Sequence, residues 1–259
     1  MPTAEAVLAA VLPAHTPSAV DPVAAGNRRR TYVVEFADRP RAVLQCDTDP
    51  RAVRTEAALR EAVRERTTVP VPATEAVGTH EGVGYLLSEH RPGSDLHPVF
   101  STLPAARRRD IAETFGRYLG ELHAEFAFDG CGELAASAET GLAAPPTPSR
   151  QWLREHGCRA VERLPEAFDP LRDRLLECLR ALPSETADRP RLYPWDLRPG
   201  NALAEAGRVT AVVDWERPLS APPAVALANA VYLVADWYVA DPAPLREALR
   251  RGYRAVREL

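Results

Sequence analysis

The segment LYPWDLRPGNALAEAGRVTAVVDWE, Leu192 to Glu216, constrains the chain most, because it fixes its own local geometry. Ala202 to Glu205 reads as a strand, Ala206-Gly207 as a tight turn, and Arg208 to Val213 as the returning strand. An antiparallel pairing centred near Gly207 puts Asn201 and Asp214 together at the open end of the hairpin. Asp196 lies five residues before Asn201, on the loop that enters the first strand. Three oxygen-bearing side chains therefore converge without any long-range assumption. Hard oxygen donors of this kind suit a Mg²⁺ ion carried by a nucleotide. Asp and Asn are also common in turns for purely local reasons, so the spacing alone is weak evidence.

The rest of the chain divides in two. Residues 3–12 read as a short amphipathic helix, followed by a proline-rich connection to Gly26. TYVVEF and AVLQC read as paired strands, TEAALREAVRER as a helix, and ATEAVGT and GVGYLLSE as two further strands. After EHRPGSDL the pattern turns helical, at about 104–126, 150–165, 170–182, 223–240 and 243–257. Only the hairpin between Asn201 and Asp214 is expected to interrupt that half. The expected architecture is α+β, with a β-rich domain over residues 1–90 and a larger, mainly helical domain over 91–259.

The combination D-L-R-P-G-N, tight hairpin, V-V-D-W-E resembles the aminoglycoside phosphotransferase-like branch of the protein-kinase-like fold. That branch reads H-G-D-x-x-x-x-N-x-L and then a strand ending I-D-W-E. The resemblance implies a two-lobed fold with a small antiparallel lobe and a helical lobe. It implies that Asp196 is the catalytic base, that Asn201 and Asp214 hold metal on the phosphates, and that Mg-ATP, or another nucleoside triphosphate, is the cofactor. It also places Gln45 at the phosphate clamp, Glu56 on the ion-pairing helix, and Ser88, Glu89 and His90 beside the adenine.

The departures are equally plain. The chain contains no lysine, and all 32 basic residues are Arg. Every lysine-dependent mechanism is thereby excluded, and Gln45 stands where the family has its third-strand lysine. Arg41 shares the strand parity of Gln45, and an arginine-rich NRRR turn covers Asn27 to Arg30. Contact with the phosphates in place of the missing lysine is one role for Arg41 or for that run, and a solvated turn is the expected role of the run. Pro194 replaces the family's catalytic-loop histidine, with Trp195 after it, and Pro222 and Ala226 occupy positions where acids are usual. Two functions stay open. One is an ATP-dependent kinase for a small-molecule hydroxyl. The other is a pseudokinase that binds a nucleotide or a partner with little catalysis.

Composition narrows the setting. A formal charge of −4 offers no basic field for nucleic acid. The most apolar run, Val225 to Ala240, is short and carries Asn229 and Asp236, so it reads as a core helix and not a membrane span. Four cysteines without a C-x-x-C pair, and no leader-like start, point to a reduced cytoplasmic protein. The acceptor and the oligomeric state stay open. The last helix has more Arg than Glu, which slightly disfavours a polycationic substrate at that face, and a solvated basic face is the preferred explanation.

Overall fold

The computed structural model describes residues 2–23, 29–182 and 188–258. In chain order come α1 (Ala4–Val11), β1 (Pro17–Pro22), β2 (Arg30–Phe36), β3 (Ala42–Asp47), α2 (Pro50–Arg66), β4 (Thr74–His80), β5 (Val83–Glu89) and β6 (Ser94–Asp95). Then follow α3 (Ala105–Glu125), β7 (Gly132–Glu133), β8 (Ala135–Ser137), β9 (Gly141–Ala143), α4 (Ser149–Glu162), α5 (Asp169–Arg180) and β10 (Arg191–Tyr193). The chain closes with β11 (Ala202–Glu205), β12 (Arg208–Val212), β13 (Leu219–Ala221), α6 (Pro223–Val231), a π-helical turn at Tyr232–Asp236, and α7 (Ala243–Arg254).

β1 to β5 form one antiparallel sheet in the order β1-β2-β3-β5-β4. On β3 the even residues Ala42, Leu44 and Cys46 are buried against Val7 and Leu8 of α1. The odd residues Val43 and Gln45 face the opposite way, into a cleft. This alternation is the period of a half-buried strand. α2 starts because the Asp49 side chain accepts the Arg51 N–H and Pro50 occupies the first turn. Leu59 and Val63 of α2 then join a core that includes Phe100, Phe115, Leu119, Leu122 and Leu249, so the sheet and the helical part share apolar packing.

Within the helical part α3 crosses α7 at glycine. A Cβ on Gly116 would lie 1.9 Å from the Leu249 carbonyl oxygen, and one on Gly252 would lie 1.9 Å from that of Glu113. His123 of α3 is fully buried, and its Nδ1 lies 2.8 Å from the Tyr253 hydroxyl of α7. Burial pushes its pKa down to about 3, so the ring is neutral and serves packing.

The antiparallel lobe and the helical part agree with expectation, and several details correct it. The proline-rich connection contains an edge strand, β1. The helical half holds more than one hairpin: β8 pairs with β9, and β13 pairs with β10 and β7. The β11–β12 hairpin is bulged at Leu203/Ala204, and Asn201 accepts a backbone bond from Val213 instead of facing Asp214. Its turn keeps both central residues left-handed, Ala206 at φ 49° and Gly207 at φ 77°. Gly26 and residues Asn27 and Arg28 of the arginine-rich turn lie outside the described residues.

Candidate active site

The β11–β12 hairpin is held to the sheet side by short links. Leu203 and Ala204 pair with Asp95 and Ser94 of β6. The Thr210 hydroxyl donates to the Pro92 carbonyl (2.7 Å), and the Val212 N–H to that of Pro70 (2.7 Å). The open end of the hairpin is thereby fixed beneath the sheet. Between them lies a cleft of about 670 Å³.

The loop after β10 carries Asp196. Asn201, at the mouth of the hairpin, donates its Nδ2 to both the Asp196 carbonyl and the Asp196 Oδ2, each at 2.9 Å. Among the described residues its Oδ1 accepts no hydrogen bond. The Arg198 Nε lies 2.8 Å from the Asp196 Oδ1, and its guanidinium sits 5.8 Å from the centre of the Trp237 ring. Asp214 follows β12 with φ 62°, a left-handed backbone that Asp adopts more readily than most non-glycine residues. Burial, and then the nearby Glu216, Glu56 and Asp196 carboxylates, push the Asp214 carboxyl up to about 6. A neutral group or a bound cation would relieve that crowding.

Of the residues singled out from sequence, Gln45, Ser88, Glu89, His90, Asn201 and Asp214 all line the cleft. Asp196 sits in an adjoining recess with Trp195, Val213, Asp214 and Glu216. Glu56 is 1% exposed and lies behind the cleft wall. The backbone beside Ser88 is partly committed to the sheet: the Glu89 N–H donates to the Ala73 carbonyl, and the His90 N–H to that of Arg41. The Glu89 carboxylate accepts the Ala73 N–H at 2.8 Å.

Three further residues matter. Arg41 does not reach the cleft; it is exposed and pairs with Glu35. Arg29 does reach it, and its guanidinium pairs with both Glu56 and Asp47. The arginine run is therefore not simply a solvated turn. Asn229, on α6, donates its side-chain amide to the Trp195 carbonyl at 2.8 Å and holds the loop that Pro194 cannot anchor. The sequence signals were present: a run of three arginines, and one amide inside the apolar stretch 225–240.

Among the described residues no group of three or more His, Cys, Asp or Glu side chains is placed to hold a metal alone. Asn201 and Asp214 offer hard oxygen donors in a crowded acidic setting, which fits a divalent cation whose other ligands are phosphate oxygens and water. Among the same residues no helix is long and apolar enough to cross a membrane.

The description "Phosphotransferase enzyme family" matches residues 19–259. No curated protein matches the chain. Among solved structures, a thermostable mutant of the aminoglycoside phosphotransferase APH(4)-Ia, in a ternary complex with ADP and hygromycin B, superposes with a TM-score of 0.68 at 18% identity, over 98% of this chain and 83% of that one. The GDP and kanamycin complex of APH(2")-IIia superposes with a TM-score of 0.68 at 17% identity, over 96% and 85%. At such identities these structures establish the kinase-like fold.

Proposed function

The chain belongs to the phosphotransferase enzyme family, and on that premise we propose that it is an ATP-dependent kinase that phosphorylates a hydroxyl of a small molecule. In this reading residues 1–90 form the nucleotide lobe and 91–259 the catalytic and acceptor lobe. The observation that carries it is the joint placement of Asp196, Asn201 and Asp214 at one end of a cleft. Asn201 and Asp214 would hold Mg²⁺, which neutralises charge on the phosphates when bound. Asp196 receives the Asn201 amide on Oδ2, which fixes its orientation, and it would take the proton of an acceptor hydroxyl as that oxygen bonds the γ-phosphorus and ADP leaves. Ser88 to His90, which line the cleft, would meet the purine. ATP is the expected donor, although the similar structures carry both adenine and guanine nucleotides. Two buried, unpaired cysteines, Cys46 and Cys131, fit a reducing cytoplasm.

The pseudokinase reading rested on a missing lysine and missing loop anchors. Arg29 brings a cation to the cleft and pairs with Glu56, and Asn229 ties down the Trp195 carbonyl, which favours the enzyme. The rim beside Asp196 also speaks to the acceptor. Trp195, Tyr232 and Trp237 are 49%, 51% and 53% exposed there, and Asp236 on the same π-helical turn is paired with Arg246. Aromatic faces with Arg198 suit an acceptor with an apolar side better than a polycation. The test is a screen of hydroxyl compounds with Mg-ATP, comparing wild type with Asp196→Asn. The variant should bind nucleotide as wild type does and turn over substrate more slowly by orders of magnitude. Equal turnover would remove Asp196 from the mechanism.

A further inference from the structure

The nucleotide reading leaves one gap, the grip on the phosphates, since β3 offers Gln45 in place of a cation. The sheet register shows what fills it. Thr31 of β2 faces Gln45 of β3, and Arg30 faces Cys46. Arg29 is therefore diagonal to Gln45 and shares its face, along with Thr31 and Val33, which also line the cleft. Its side chain is 6% exposed. The Nε donates to the Asp47 Oδ2 (2.7 Å) and lies 3.4 Å from the Glu216 Oε2, while Nη1 pairs with Glu56. The Nη2 is buried and has no hydrogen-bond partner among the described residues.

A buried guanidinium with one unused nitrogen, lining the same cleft as Asn201 and Asp214, is an unfinished anion site. We propose that Arg29, entering from β2, grips the phosphate chain of the bound nucleotide in place of a β3 lysine, with Glu56 and Asp47 as its positioning residues. This rests on the nucleotide reading above and adds the residue that completes it. Arg29 stays charged throughout: burial opposes the charge, and the Glu56 and Asp47 carboxylates more than restore it. Gln45 then needs no charge, because a second cation on the same face would compete with Arg29 for Glu56.

Isothermal titration with Mg-ATP and with adenosine tests this in wild type, Arg29→Ala, Arg29→Ala/Glu56→Gln and Arg29→Ala/Gln45→Lys. The second variant guards against misfolding, because it removes the carboxylate that Arg29→Ala would leave buried without its main partner. Wild type should bind Mg-ATP. Both Arg29→Ala and Arg29→Ala/Glu56→Gln should bind it roughly 10- to 100-fold more weakly, with adenosine binding unchanged. Restoring a cation from the other strand, in Arg29→Ala/Gln45→Lys, should recover most of the loss. If Arg29→Ala/Glu56→Gln binds Mg-ATP as wild type does, Arg29 is not the clamp, while the nucleotide reading stands. If wild type binds neither ligand, the nucleotide reading falls and the clamp with it.

Discussion

At the scale of single residues, the candidate site groups Asp196, Asn201 and Asp214, and the side chains that brace it come from elsewhere in the chain. Asp196, Asn201 and Asp214 are local to one hairpin, so chain connectivity alone brings them together. Their supports come from far away in sequence: Arg29 reaches Glu56 across 27 residues, and Asn229 reaches the Trp195 carbonyl across 34. Asn229 touches none of the groups proposed to react, and acts by holding the backbone on which Asp196 rides. Its replacement in Asn229→Ala should therefore lower kcat by roughly one to two orders of magnitude. The dissociation constant for Mg-ATP should stay within about twofold of wild type, and the cost in folding stability should be about 1 kcal/mol. A drop in nucleotide affinity equal to the drop in kcat would show a general loss of structure instead of a misplaced loop. Steady-state kinetics beside titration calorimetry separate the two.

At the scale of elements, the crossing of α3 on α7 sets the frame beneath the site. Gly116 and Gly252 let the two backbones touch, each with its would-be Cβ 1.9 Å from a carbonyl oxygen of the other helix. Gly252→Ala should gain up to about 1 kcal/mol of helix propensity and lose more by forcing the helices apart. The expected net effect is a destabilisation of about 1–3 kcal/mol, read as a lower urea midpoint with an unchanged slope. A raised midpoint would mean that the crossing is looser than described. This contact was not legible in the sequence, where both glycines sit in ordinary helical runs. What was legible is what local pattern controls. The alternation on β3, the helix formers of α2 and the turn at Ala206-Gly207 each declare themselves within a dozen residues. β1 did not, because its two prolines disguise an edge strand that tolerates them. Nor did β7 to β10 and β13, whose two or three residues are too few to show a period. The role of Arg29 needed the β2–β3 register, which places it on the cleft face.

At the scale of the whole molecule, an antiparallel sheet and a helical body are joined through α2 and clasped by one hairpin, with charge of both signs gathered in the cleft between them. Arg29, Arg60, Arg91 and Arg198 line that cleft together with Glu89, Asp95, Asp214 and Glu216. Such a site suits a ligand that brings anion and cation at once, as Mg-ATP does, and neither half alone. On the proposed function this cleft binds Mg-ATP through Asp214. The most direct measurement of that binding is the folding stability of wild type and Asp214→Ala with ATP, with and without Mg²⁺. With Mg-ATP about 100-fold above its dissociation constant, wild type should gain roughly 2.7 kcal/mol, and Asp214→Ala should lose the Mg²⁺-dependent part of that gain. The same Mg²⁺-dependent gain in both proteins, or none in wild type, would contradict the account.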